Sequence, residues 1–295
     1  MLKPTVGEKW FGMLNYGILT VIAALALYPF LYVASASISS SDAVVTGKVL
    51  LFPQDITFAA YGKVLNQKGI WLAYGNTIFY TVVGTVVNLI FTILGAYPLS
   101  KKRLIGASFI SFMVALTMFI NMSGTAGMIP FYLNLRDLGL LDKRFTIIFA
   151  FAVFTFYVFL MKTFFQGIPE EMEESAKVDG ANDWQILTKV YLPLSLPSLA
   201  SIGLFCAVAR WNGYFWTMVI LRDEDKIPLQ VLLRKLIVEM KLTEEMMSAA
   251  DISKGFSQET IIYATIIVSI IPILLVYPFI QKYFVKGMML GAVKE

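Results

Sequence analysis

Six long apolar runs punctuate the chain: Leu14–Ala36, Thr77–Leu99, Ala107–Met128, Phe145–Phe165, Leu194–Leu221 and Ile261–Phe284. A helix rising about 1.5 Å per residue needs roughly 20 apolar residues to cross about 30 Å of hydrocarbon, and each run meets that length. In hydrocarbon the backbone has to satisfy its own hydrogen bonds, so the runs predict helices rather than open sheet. The pattern therefore predicts an all-α integral membrane protein, a single domain over residues 1–295 with six transmembrane helices. An A-x-A pattern sits at Ala34–Ala36. The run that holds it is longer than the roughly 7–15 residues of a signal core, which makes it a retained helix.

The polar stretches between the runs are as informative as the runs. Between the fourth and fifth lies "EEMEESAKVDGANDWQILTKVYLPLSLPSL", Glu170 to Leu199. Pro169 suits a first helical position, and Glu170, Glu171, Glu173 and Glu174 favour a helix N-terminus. Gly180 offers a left-handed cap after Asp179. Asn182 and Gln185 have the spacing of a capping box for a second, short helix. On that helix Trp184, Leu187 and Tyr191 recur at helical spacing, giving one apolar stripe. Pro193 and Pro197 mark re-entry into the fifth run. Residues 167–193 thus read as a rigid helical hairpin, either a solvated connector or a docking element. Between runs five and six, residues 222–260 form a loop containing "PLQVLLRKLIVEM". Its Leu229, Leu232, Leu233, Leu236 and Ile237 are spaced for an amphipathic helix suited to a membrane surface or a protein partner.

Composition supports the bilayer reading. Of 295 residues, 58% are hydrophobic and 15% charged, against about 45–50% and 25% in soluble domains. The net charge of +4 is scattered, without the basic, aromatic-studded patch that nucleic acid requires. There is no histidine and one cysteine, Cys206. That excludes an internal disulfide, Cys/His metal sites and histidine acid–base catalysis. No nucleophile–base pair is visible, so no catalytic residue is assigned.

Lys101, Lys102 and Arg103 in "SKKRLIG" place that loop in the cytoplasm by the positive-inside rule, with both termini and the hairpin on the same side. Arg136, Lys143 and Arg144 in the following outer loop weigh against it. Polar groups inside spans are costly and therefore informative. Asn88, Asn121, Arg210 and Asn212 are such groups, with Trp211, Tyr214 and Trp216 nearby. Aromatic faces with polar edges suit sugars, and an arginine fork suits a carboxylate. The same residues also serve as helix glue and interface anchors, with Arg210 on a carbonyl or a partner chain. Gly84, Gly95 and Gly124 read as close-packing points.

The stretch "ESAKVDGANDWQILTKVYLP" resembles the cytoplasmic signature of ATP-binding-cassette (ABC) importer permeases, Glu-Ala-Ala, three residues, Gly, nine residues, Ile-x-Leu-Pro. Glu174, Ala176, Gly180, Leu192 and Pro193 match, while Ser175 replaces alanine and Val190 replaces isoleucine. "LFPQDITFAAYGKVL", "GAYPLSKKR" and "RWNGYFWTMVIL" resemble the sugar-transport, maltose-permease-like members. "MIPFYLNLRDLGLLD", "PLQVLLRKLI" and "YPFIQKYFVKGMMLGAVKE" resemble the branch for uronate-containing oligosaccharides such as aldouronates and alginate fragments. The resemblance implies the type I ABC importer permease fold in the bacterial cytoplasmic (inner) membrane. It implies a second homologous permease, two ATP-binding subunits, an extracytoplasmic solute-binding protein, membrane lipid and a carbohydrate as partners. The chain itself would bind no cofactor, ATP and magnesium belonging to the ATPase subunits. Glu174, Ser175, Ala176, Asp179 and Gly180 would then be coupling residues, the C-terminal Lys286, Gly287 and Lys294 would lie on the same side, and Arg210, Asn212, Trp211, Tyr214, Asn88 and Asn121 would be substrate-path candidates. An ion-coupled secondary transporter is the alternative. No Asp or Glu lies inside the six runs, which weighs against ion coupling.

Overall fold

A computed structural model describes residues 5–122, 127–246, 259–272 and 274–275. Helices α1 (Val6–Ser37), α2 (Ser41–Val45), α3 (Ala59–Asn66), α4 (Lys68–Ser100), α5 (Ala107–Met122) and α6 (Met128–Asp137) come first. Then follow α7 (Arg144–Phe149), α8 (Thr155–Gln166), α9 (Glu170–Val178) and α10 (Asp183–Ile186). A π-helical turn, Leu187–Tyr191, leads to α11 (Leu192–Leu194), α12 (Leu196–Asn212), α13 (Phe215–Ile220) and α14 (Leu229–Met246). The apolar helix α15 is Glu259–Pro272. Gly124, the C-terminal tail residues Lys286, Gly287 and Lys294, and the end of the sixth expected span lie outside the described residues.

Among the described residues, α1 and α4 are each long and apolar enough to cross a membrane by themselves. A third candidate is the pair Asp183–Leu194 and Leu196–Asn212, bent by 81° at Ser195. The fourth and fifth expected spans are not single helices. The fourth is interrupted between α7 and α8, and the fifth between α12 and α13. No glycine or proline marks the break between α7 and α8. The side chains of Asn88 and Arg210 bond carbonyls at this break, as described below.

Two compact units divide the chain, Met1–Trp71 with Leu233–Ile273, and Leu72–Leu232 with Leu274–Glu295. In the first, the end of α1 packs through Ala36 against Ala43, Val44 and Val49, with Tyr32 and Tyr263 alongside. The A-x-A pattern is part of this packing, since Ser35 and Ala36 are buried within the helix. Over its most apolar stretch α1 buries no residue. Apolar on all sides, such a helix takes lipid or another chain as its solvent.

In the second unit α4 is the spine. Near its start Tyr80 joins Leu135, Ile147, Ile148, Ile220, Leu221, Ile227 and Val231 in one buried cluster. Near its end Ala96, Tyr97 and Leu99 join Val158, Met161 and Phe165 of α8, Ile186, Leu187 and Tyr191 of the hairpin, and Ile202 and Cys206 of α12. The two clusters sit about 24 Å apart along α4 at ~1.5 Å per residue. Helix α14 is amphipathic, with Leu229, Val231 and Leu233 buried and Arg234 exposed.

Candidate functional site

The hairpin is built from local signals. Helix α9 starts after Pro169, which serves as the N-cap and not as the first helical residue expected from sequence. Three acids, Glu170, Glu171 and Glu173, occupy its first turn, where the helix dipole favours them. The helix ends in a Schellman motif. The Gly180 N–H donates to the Lys177 carbonyl and the Ala181 N–H to the Ala176 carbonyl, and Gly180 takes the left-handed φ of 80° that the motif requires. Asn182 and Gln185 then close a reciprocal capping box on α10. The expected apolar stripe is different in one member. Leu187 and Tyr191 are buried, but Trp184 is 63% exposed and Ile186 takes the inward position. The π turn at Leu187–Tyr191 widens the helix, so straight α-helical spacing misplaces the face.

Basic residues at the end of α4 grip the hairpin one for one. Lys101 pairs with Glu173, Lys102 with Glu170 and Arg103 with Asp183. The first pair is buried and the other two are exposed. Glu173 Oε2 accepts from Lys101 Nζ at 2.5 Å and from the Tyr191 hydroxyl at 2.9 Å, and Oε1 pairs with Lys177 at 2.6 Å. Lys101 Nζ also lies 4.2 Å from the ring centre of Tyr97 and 3.6 Å from that of Tyr191. Burial pushes the Glu173 carboxyl up, yet hydrogen bonds from Lys101, Lys177 and Tyr191 outweigh it and hold the pKa at about 2. Burial lowers the Lys101 ammonium against the pull of Glu173. Burial first, then the Glu173 carboxylate, raises the Tyr191 phenol.

Away from this anchor the hairpin is open. Glu174, Ser175, Asp179 and Gly180 are exposed, and Ala176 is half-buried against the core. Nothing approaches within 4 Å of where a Gly180 Cβ would stand. Val178, Trp184 and, after the basic loop, Ile105 present large apolar side chains to the outside. Sequence reasoning missed Glu173 and the three basic partners as a cluster. The signal was available, three consecutive cations and a run of acids assigned to one side of the membrane.

Deeper in the unit, Arg210 is the centre of a polar knot. Its Nε donates to Asn88 Oδ1, its Nη1 to the Ile147 carbonyl, and its Nη2 to the Ile148 and Phe151 carbonyls. Asn88 Nδ2 donates to the Phe151 and Ala152 carbonyls at 2.7 and 2.8 Å. Together the two side chains occupy the carbonyls at the break between α7 and α8. Gly84 makes room, since a Cβ there would lie 2.9 Å from Arg210 Nε. Carbonyl and amide partners within the chain thus engage nitrogens of both Arg210 and Asn88. Gly95 meets Val158 at ordinary contact distance.

Asn212 is exposed and donates to the Val208 carbonyl, and Tyr214 is exposed nearby. Trp211 is 8% exposed, packs edge-on to Tyr74 and leaves its indole N–H without a partner among the described residues. The backbone of Asn121 belongs to α5, and its side chain lies outside what is described. No group of three or more metal-binding side chains occurs among the described residues.

At the other end of α4 a second polar cluster fixes residues 222–229. Asp142, with φ of 58°, accepts from the backbone N–H groups of Arg222 and Asp223 and from Lys226 Nζ. The Asp223 N–H and then the Lys226 ammonium hold its carboxyl below the usual range. Asn76 donates to the Asp225 and Ile227 carbonyls, and Tyr80 to that of Lys226.

Residues 69–290 match the family described as binding-protein-dependent transport system inner membrane component. The polygalacturonan/rhamnogalacturonan transport system permease protein YtcP of Bacillus subtilis (strain 168) is 41% identical over 287 residues, 97% of this chain and 99% of that protein. The arabinooligosaccharides transport system permease protein AraQ of Halalkalibacterium halodurans is 26% identical over 276 residues, 92% of this chain and 93% of that protein. Among solved structures, a chain of a bacterial ABC transporter involved in the import of the acidic polysaccharide alginate is 51% identical. It superposes with a TM-score of 0.88, covering 96% of this chain and 100% of that one.

Proposed function

The chain belongs to the family of binding-protein-dependent transport system inner membrane components, and from that premise we infer that residues 167–193 are the element through which a partner ATPase drives it. The chain is a permease subunit of an ABC importer for a carbohydrate, not an enzyme. It works beside a second permease, two ATP-binding subunits and a solute-binding protein, and ATP and magnesium belong to the ATPases. One observation carries the hairpin reading. The hairpin is clamped to α4 through its acidic first turn, while the signature residues Glu174, Ser175, Asp179 and Gly180 face outward. A clamped base and an open tip suit an element that receives force from a soluble partner.

In this reading six crossings are made by α1, α4, α5, the broken α7–α8, the bent α12 with α13, and α15 with the chain beyond it. Both termini and the hairpin are cytoplasmic. Residues 222–260 and α14 are extracytoplasmic and meet the solute-binding protein. Substrate, an oligosaccharide containing uronate units, passes Trp211, Asn212 and Tyr214. The buried indole N–H of Trp211, without a partner among the described residues, would donate to a sugar hydroxyl when the path opens, whereas Arg210 and Asn88 hold the walls of the path in place.

The test is purification of tagged chain from its native membrane in mild detergent. The second permease and the ATPase subunits are expected to come with it. With Gly180→Trp, which puts a bulky ring on the open tip, the chain still inserts but the ATPase subunits are lost. Full retention of the ATPases and of sugar uptake in that variant would refute the docking element.

A further inference from the structure

We propose that Glu173 is the joint that passes hairpin movement into the membrane helices, a positioning residue in the transport cycle. The proposal rests on the hairpin docking reading and deepens it.

Three separate segments meet at this one carboxylate. Tyr97 lies in the last turn of α4 and Lys101 directly follows that helix, Lys177 shares α9 with Glu173, and Tyr191 lies in the π turn that leads through α11 into α12. Oε2 alone holds both Lys101 and Tyr191, so the cytoplasmic ends of the α4 and α12 segments are tied through the same atom. The other two cation–acid pairs of the clamp are exposed. Exposed pairs are screened by water and contribute little. The Lys101–Glu173 pair differs, because its side chains are only 8% and 11% exposed. Separating a buried pair leaves each charge unpaired in a poor solvent. Apolar side chains alone can slide past one another. This pair cannot, because Lys101 is also seated between two aromatic faces. A push on the hairpin tip therefore reaches α4 and α12 together and without slack.

The test uses the complete importer in lipid nanodiscs, with a bimane fluorophore on Leu138→Cys. Leu138 is exposed and follows α6, whose Leu135 packs in the Tyr80 cluster and not in the cluster that holds the hairpin. ATP with vanadate traps nucleotide on the ATPases and needs no identified sugar. In the otherwise native chain, trapping shifts the bimane emission. With Glu173→Gln the complex traps nucleotide, and the emission shift falls at least threefold. Because Glu173→Gln leaves Lys101 buried and unpaired, a second variant is Lys101→Met with Glu173→Met, which removes both charges and keeps volume. It too traps nucleotide with a shift reduced at least threefold. A full-sized shift in either variant overturns the joint. So does loss of assembly in both, which would make the pair a folding determinant only. Gly180→Trp separates the two readings. If it leaves trapping and shift intact, the docking reading fails. If it abolishes the shift while Glu173→Gln does not, only the joint fails.

Discussion

Arginine carries five N–H donors in one rigid plane, whereas lysine carries three on a flexible stem. At position 210 that difference decides whether the break between α7 and α8 is tolerated. Three guanidinium nitrogens serve Asn88 and three carbonyls, and each buried polar group left unsatisfied costs about 1–3 kcal/mol. Arg210→Lys is thus expected to destabilise the purified importer by several such units, seen as a clear fall in its detergent melting temperature. Gly84→Ala is expected to act in the same direction more weakly, by displacing the guanidinium that its Cβ would touch. A melting temperature equal to wild type in both would mean that the knot is dispensable. At Glu173 the pH dependence has a definite sign. The folded pKa of about 2 lies below the ordinary 4.5, so the stabilisation is complete above pH 4.5 and is lost as pH falls toward 2. Amide exchange in the hairpin, corrected for intrinsic rates, should keep its protection down to pH 4.5 and lose it only below. Loss already at pH 6 would contradict the pairing. Arg210 shows where reading the chain stops at this scale. Its cost inside a span is legible, and so is a carbonyl as one possible partner, but not which carbonyls: three of its acceptors are backbone carbonyls about 60 residues away, and no residue type announces them.

Among the elements, the hairpin was the most legible because its signals are local. The glycine cap and the Asn182–Gln185 box each act within a few residues, and both form as spacing predicts. The π turn was not legible, since tertiary packing of Leu187 and Tyr191 against α4 and α8 favours it over regular α-helix. The broken fourth span was hidden for the opposite reason, residues 150–154 being apolar with no glycine or proline to mark the break. At the cap, Gly180→Ala forces a Cβ into left-handed backbone at a cost of about 1–2 kcal/mol. Exchange at Ala181, whose N–H closes the Schellman motif, should rise by about five- to thirtyfold, while the amides at the break between α7 and α8 keep their rates. Unchanged exchange at Ala181 would mean that the cap is not formed in solution.

For the whole molecule, the bilayer, the hairpin and the family resemblance were legible, and the cargo was not. Recognition of cargo depends on few contacts, and one of the candidates, Arg210, is occupied by the fold itself. One relative is named for polygalacturonan/rhamnogalacturonan transport, and one similar structure belongs to an importer of the acidic polysaccharide alginate; the proposed substrate contains uronate units. The assembled importer with its binding protein is accordingly expected to show ATPase stimulation by oligogalacturonate or oligoalginate at least tenfold above that by maltotriose. Equal stimulation by the neutral sugar would remove the uronate assignment.

The clamp at residues 101–103 has a consequence in time. Glu173 follows Lys101 by 72 positions, so at about 5–20 residues per second the ribosome delivers it roughly 4–14 s later. In the topology proposed above, Lys101, Lys102 and Arg103 await these acids throughout that interval and act as positive-inside signals while the insertion machinery chooses a topology. Once Glu170, Glu173 and Asp183 emerge, the same cations are neutralised and become part of the hinge. With that topology and the proposed joint, one cluster of charge serves first as an address during biosynthesis and then as a bearing in the finished machine. Neutralising it early, by acids placed next to it in the chain, would disturb topology before transport is ever tested.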